Sequence, residues 1–279
     1  MSSQSLEYHL DIIDDAADPV ALLASESGLS KQKIKQAMQK GAVWITDNKG
    51  TQRLRRQSKK LNSGTTLHFY FDPDVLNEKT DDAILIADEV DYSVWYKPRG
   101  MLSQGSKWGD HCAINRWIEQ HLEPQRPAFT VHRLDRFASG LILIAHKKKT
   151  ARLLSSLFQN KEINKQYKVI VHGEFPSETV TYKNDVDDKY AVSHVSLLEF
   201  NKENNTSLVQ VDIETGRKHQ IRIHLSEAGF PVVGDRLYGK NDEESDLQLT
   251  AYKLSFVSPI NCEEKKYILN EELQPKLKS

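Results

Sequence analysis

The stretch Val131-His-Arg-Leu-Asp-Arg-Phe-Ala-Ser-Gly-Leu141 runs straight into Ile142-Leu-Ile-Ala145. Its last five residues are apolar and read as a short strand buried on both faces. Directly before them stand four ionisable side chains, His132, Arg133, Asp135 and Arg136, and the small turn Ala138-Ser-Gly140. A carboxylate at the mouth of a buried strand is costly unless a cation or hydrogen bonds accompany it. Asp135 therefore needs a partner. Arg133 and Arg136 are local candidates; Arg217 and Arg222, in Thr215-Gly-Arg-Lys-His-Gln-Ile-Arg-Ile-His224, are distant ones. Arg222 is flanked by isoleucines, and an arginine so placed is buried against a carboxylate or faces a phosphate.

Outward from this strand, strand-like runs recur at 83–87, 92–96, 167–171, 194–200, 208–213 and 249–257, with helical spacing at 113–121, 151–158 and 219–228. The last segment also alternates as a strand would. Many strands with few interposed helices predict an α+β fold with a mixed, largely antiparallel sheet.

The N-terminal part differs. Pro19 to Ala42 predicts two short helices, the first ended by Gly28, the second capped by Ser30 and stopped by Gly41. Strands follow at 43–46 and 67–71. Between Leu29 and Leu61 ten Lys and Arg face one acid, Asp47, although the whole chain carries a formal charge of only -1. The acids gather at 72–91 and 242–246. Such asymmetry suits either a polyanionic partner or a solvated face.

No apolar run approaches the 18 or so residues of a membrane span, and the polar start lacks the pattern of a secretory signal. Cys112 and Cys262 are far apart, which argues against a disulfide framework or structural zinc and for a reducing cytoplasm. His132, His219 and His224 lack metal-ligand spacing, Ser139 lacks a G-x-S-x-G context, and phosphate-cradling glycine loops are missing. No metal or cofactor is expected.

Two resemblances complete the reading. Leu29-Ser-Lys31, Lys40-Gly-Ala-Val-Trp-Ile-Thr46 and Ser63-Gly-Thr-Thr-Leu67 resemble the S4 RNA-binding domain, a small α/β module. His132-Arg-Leu-Asp-Arg136 with Ser139-Gly-Leu141 resembles the signature of the RluA family of RNA pseudouridine synthases. Tyr96-Lys-Pro-Arg-Gly100, Lys165-Gln-Tyr167, the 215–224 run and Gly229-Phe-Pro-Val-Val-Gly-Asp235 resemble its other blocks, in order. The expected organisation is a tail at 1–16, an S4-like domain at 17–72, a linker at 73–82 and a pseudouridine synthase domain at 83–279.

The resemblance implies an isomerase acting on uridine in structured RNA, most simply 23S ribosomal RNA, as a monomer without a membrane partner. Transfer RNA as substrate, or an inactive S4-type RNA-binding protein, is the alternative. It implies Asp135 as nucleophile, Tyr167 stacking on the target base, and Arg222 paired with Asp135. It also implies RNA contacts from Arg133, His132, Lys97, Lys165, Arg217, His219 and Gln220, with Lys31, Lys35 and Arg55 in the N-terminal module. Three positions depart from the family pattern: Ala138 replaces a Thr, Tyr96 an Asn and Thr250 a His. The first removes a hydroxyl available to brace the loop of Asp135.

Overall fold

The structure is a computed structural model, and it describes residues 5–239 and 246–277; of the acidic stretch 242–246, all but Asp246 lies outside the described residues. The chain divides into two compact units, one of residues up to Thr80 with Gln104–Gln120, the other of Asp81–Ser103 with residues from His121 onward. A single cut at 73–82 thus does not describe the packing, because 104–120 leaves the second unit and joins the first.

In the first unit, β1 (Leu6–Asp11), α1 (Pro19–Ser27), α2 (Lys31–Gln39), β2 (Val43–Asp47), β3 (Gly50–Arg53) and β4 (Thr66–Phe71) form a sheet of order β1-β4-β2-β3 and its two covering helices. Asp18 caps α1 through the amides of Val20 and Ala21, and Ser30 caps α2 through that of Lys33. Ile34, Ala37 and Met38 turn inward against Leu23, Ile45, Leu67 and Phe69, while Lys31, Lys33 and Lys35 stay exposed. Two elements differ from expectation. The tail at 1–16 contains β1, because Leu6, Tyr8 and Leu10 alternate with polar residues and pair with β4. The linker contains α3 (Pro73–Asn77), which Asp72 caps and Pro73 begins.

The added segment 104–120, which includes most of α4 (Ile114–His121), is pinned by charge. Asp110, 7% exposed, pairs with Arg53 at 3.0 Å and with Arg55.

The second unit holds β5 (Ile84–Asp88), β6 (Tyr92–Lys97), β7 (Phe129–Thr130), β8 (Ser139–Ala145), α5 (Lys148–Gln159), β9 (Asn164–His172), β10 (Val180–Tyr182), β11 (Asp185–Val186), β12 (Lys189–Tyr190), β13 (Ser193–Asn201), β14 (Thr206–Ile213), α6 (Gln220–Glu227), β15 (Leu249–Val257) and β16 (Glu264–Ile268). Its main sheet runs β10-β13-β14-β9-β15-β8-β6-β5, with β16 added at β15 and β7 at β8. The sheet is antiparallel except where β8 and β15 run parallel, so the α+β expectation holds. β8 is the strand of the opening stretch. Leu141, Leu143 and Ala145 pack against Leu154 and Leu157 of α5, and Ile142 and Ile144 are equally buried on its other face. Each of these leucine and isoleucine side chains contributes about 1.5–3 kcal/mol. The segment 219–228 resolves as helix, because His219 caps α6 with φ 57° and the main chain then bonds i to i+4.

One glycine is obligatory here. Gly140 has φ +120°, and a Cβ on it would lie 2.3 Å from the Ala251 carbonyl oxygen where β8 meets β15. Thr250 takes part in the same junction, its hydroxyl hydrogen-bonded to that of Ser139 at 2.9 Å.

Candidate active site

Asp135 sits on the loop between β7 and β8, and this loop is fixed from three sides. Leu134 and Ala138, which bracket it, are buried in the core with Tyr167, Ile221 and Leu225. Ser103 Oγ accepts from the Leu134 N–H at 2.9 Å and donates to the Leu134 carbonyl at 2.7 Å. Lys97 Nζ donates to the carbonyls of Ala138 (2.7 Å), Met101 (2.8 Å), Pro98 (3.0 Å) and Arg136 (3.3 Å). The bracing expected from a hydroxyl at 138 therefore comes from a lysine that holds the Ala138 main chain instead.

That geometry corrects the expectation for Lys97. It is wholly buried and its three donors serve main-chain carbonyls, so it ties loops together and does not face RNA. Burial pushes its ammonium down to about 7 against the pull of Asp135. Gln220 is corrected likewise: 3% exposed, it donates to the Val192 carbonyl and accepts from the Thr215 hydroxyl and the Arg217 amide. Arg55 is engaged by Asp110 and the Gln39 carbonyl within the first unit.

His132 is also turned inward. Its Nε2 accepts from the Leu143 N–H at 2.9 Å, and its ring stacks on Phe158 with centroids 4.2 Å apart. Burial pushes its pKa down to about 3, with Lys165 adding to the effect. The unfolded imidazole binds a proton near pH 6.5, so between about 6.5 and 3 the unfolded chain holds more protons and stability is lost as pH falls. Replacing His132 with Gln, which keeps an acceptor but does not titrate, should flatten the urea midpoint between pH 6.5 and 4 relative to wild type. Parallel curves for the two proteins would exclude this role.

Around Asp135 the remaining groups converge. Register places Tyr167 opposite Ala251, and Ala251 opposite Gly140, so the tyrosine lies two strands from the base of the Asp135 loop. Burial, and Asp135 nearby, push the Tyr167 phenol up, so it stays protonated. Lys165, two residues earlier on β9, shares its face, and burial pushes its ammonium down. Arg133 and Arg217 are exposed, Arg217 donating to the Tyr190 carbonyl at 3.3 Å. From the start of α6, Arg222 Nη1 lies 3.6 Å and His219 Nε2 3.8 Å from Asp135 Oδ2. Burial lowers the His219 pKa, against the opposing pull of Asp135, and its Nδ1 is hydrogen-bonded to the Tyr238 hydroxyl at 3.0 Å.

The ion pair between Arg222 and Asp135 is present but is not the arginine's main one. Arg222 Nε and Nη2 each donate at 2.6 Å to Asp235, which is buried and also accepts from the Leu237 and Tyr238 amides at 2.9 and 3.1 Å. Burial opposes ionisation of Asp235, but these hydrogen bonds, that from Arg222 foremost, hold its carboxyl below the usual range. Asp235 was legible only as part of a resemblance block. The sequence offers only an acid directly after the apolar run Val232-Val233-Gly234, with the cation Arg236 beside it, so nothing local points to Arg222 as its partner. Among the described residues no cluster of three or more His, Cys, Asp or Glu is placed to hold a metal.

The arrangement presents one partly exposed carboxylate beside a guanidinium, within electrostatic reach of a protonated phenol, at the ends of strands in the middle of the sheet. Comparison with known proteins places the sequence among RNA-modifying relatives. The sequence model of the RNA pseudouridylate synthase family matches residues 91–227. The chain is 26% identical to an uncharacterized RNA pseudouridine synthase of Aquifex aeolicus over 94% of this chain and 92% of that protein. It is 30% identical to ribosomal large subunit pseudouridine synthase D of Borreliella burgdorferi, over 65% of this chain and 63% of the relative. The fold is shared with human RNA pseudouridylate synthase domain containing 1, with a TM-score of 0.59 at 20% identity over 70% of this chain and 86% of that one. Residues 91–227 therefore carry a domain of the RNA pseudouridylate synthase family, whose members are isomerases.

Proposed function

We propose that the protein isomerises uridine to pseudouridine in large-subunit ribosomal RNA, with Asp135 as nucleophile, Tyr167 as the surface on which the target base stacks and Arg222 as the cation beside Asp135. The observation that carries this reading is the rigid presentation of Asp135, whose loop is locked by Lys97 and Ser103 while its carboxylate stays open to substrate. The reaction breaks the N1–C1′ bond and forms a C5–C1′ bond; C5 loses a proton and N1 gains one. The base must leave the stack to turn, at a cost of a few kcal/mol. Stacking on an aromatic returns about 1–3 kcal/mol per base. Arg133, exposed beside Asp135, and Arg217 and Lys165 supply cations for the flanking phosphates.

Ribosomal RNA is favoured because a relative at 30% identity is named for the ribosomal large subunit. The basic face of α2 fits a duplex or loop backbone outside the active site, as an S4-like module would. The purified protein should convert uridine in ribosomal RNA from cells lacking this gene, and pseudouridine maps of cells with and without the gene should differ at those positions. Conversion confined to transfer RNA, or none at all, would overturn the assignment.

A second expectation concerns Lys31 and Lys35. Each phosphate contact contributes about 0.7–0.9 to the slope of log K against log salt. Substituting both with Glu should reduce that slope by about 1 to 2 in filter-binding titrations while leaving the melting temperature near wild type. An unchanged slope would mean that this face is only solvated.

A further inference from the structure

Arg222 faces two carboxylates and treats them differently. Its Nε and Nη2 meet both oxygens of Asp235 at 2.6 Å, whereas Nη1 stands 3.6 Å from Asp135 Oδ2, beyond hydrogen-bond reach. The burial gradient runs the same way, with side-chain exposures of 28% for Asp135, 6% for Arg222 and 1% for Asp235. Asp235 cannot touch a substrate, but it is anchored by two main-chain amides, and the Tyr238 ring lies 5.1 Å from the guanidinium. A guanidinium can grip a carboxylate with two parallel hydrogen bonds. With Asp235 absent, nothing would stop Arg222 from gripping Asp135 that way and occupying the oxygens needed for attack.

We propose that Asp235 is a positioning residue for the isomerisation: by holding the Nε–Nη2 edge of Arg222, it lets the arginine lend charge to Asp135 without tying up its oxygens. Beyond Arg133 and Arg136 of its own loop, the charged or titratable groups around Asp135 are Lys97 from β6, Tyr167 from β9 and His219 before α6, and none of these three hydrogen-bonds its carboxylate. This inference rests on the reading of Asp135 as nucleophile.

The test compares wild type with Asp235→Asn in full-length protein. An amide cannot accept both donors as a carboxylate does, so the Arg222 Nε–H should lose its downfield, exchange-protected signal in proton–nitrogen spectra. Single-turnover conversion of ribosomal RNA from cells lacking the gene should fall about hundredfold, the scale of an ångström-sized misplacement, with RNA affinity unchanged. A wild-type rate, or an Arg222 signal as protected as in wild type, overturns the inference. Should Asp235→Asn fail to fold, Arg222→Lys retains the charge but not the two-edged grip; it should show the same fall, and a wild-type rate would overturn the inference equally. Equal conversion by wild type and Asp135→Asn would instead remove the reading of the nucleophile, while the spectra still report on the hold exerted by Asp235.

Discussion

Asp135→Asn should abolish uridine conversion, by about ten-thousandfold or more, while the protein stays folded and bound to RNA. The size follows from removing the attacking atom of a covalent route, for which losses of that order are usual. Asn is nearly isosteric, and the site is partly open to solvent, so stability should move by no more than about 0.5 kcal/mol. The loop should also keep its place, because its fixtures are main-chain atoms of Leu134, Arg136 and Ala138 rather than the carboxylate. On the proposed reading RNA is held by phosphate contacts elsewhere, so RNA affinity should be retained. Single-turnover conversion and filter binding on the same protein preparation separate these effects. A variant converting within tenfold of wild type would mean that another group attacks.

Much of this site is legible in the sequence because its principal residues are local to strong patterns. The strand at 141–145 is announced by its unbroken apolar run, and the loop before it by its density of charge. The helix carrying Arg222 is announced less clearly, since 219–224 satisfies both periodicities; the left-handed conformation of His219 decides it, and no pattern of apolar residues encodes that. What stays hidden is the destination of polar side chains. Lys97, His132 and Gln220 stand in motifs suggestive of substrate contact, yet Lys97 and His132 bond the main chain of neighbouring elements and Gln220 bonds main chain and the Thr215 and Ser193 hydroxyls. A sequence shows that a cation is available; it does not show that four carbonyls converge on it. The same limit applies to Asp110, whose pairing with Arg53 and Arg55 draws 104–120 into the first unit.

The second large effect is on stability. Arg222→Met should destabilise the protein by about 3–5 kcal/mol at neutral pH, because it strands the Asp235 carboxylate in the interior with only two main-chain donors. The pH dependence identifies the cause. In the wild type the Asp235 carboxyl is held below 3.8 by Arg222 and the amides against the cost of burial, so its contribution is present above that value and is lost as pH falls through the lowered one. Without the guanidinium, burial dominates and the carboxyl should instead be protonated more readily folded than unfolded. The variant is then penalised mainly at neutral pH, and its deficit should shrink as the solution is acidified towards pH 4. Adding Asp235→Asn to Arg222→Met should recover part of the loss at neutral pH, since the stranded charge is gone, yet conversion should remain absent because Asp135 still lacks its cation. Urea midpoints for the wild type, both single variants and the double variant at pH 7 and pH 4 give the coupling directly. A deficit below 1 kcal/mol, or one independent of pH, would show that Arg222 and Asp235 do not depend on each other in the folded protein.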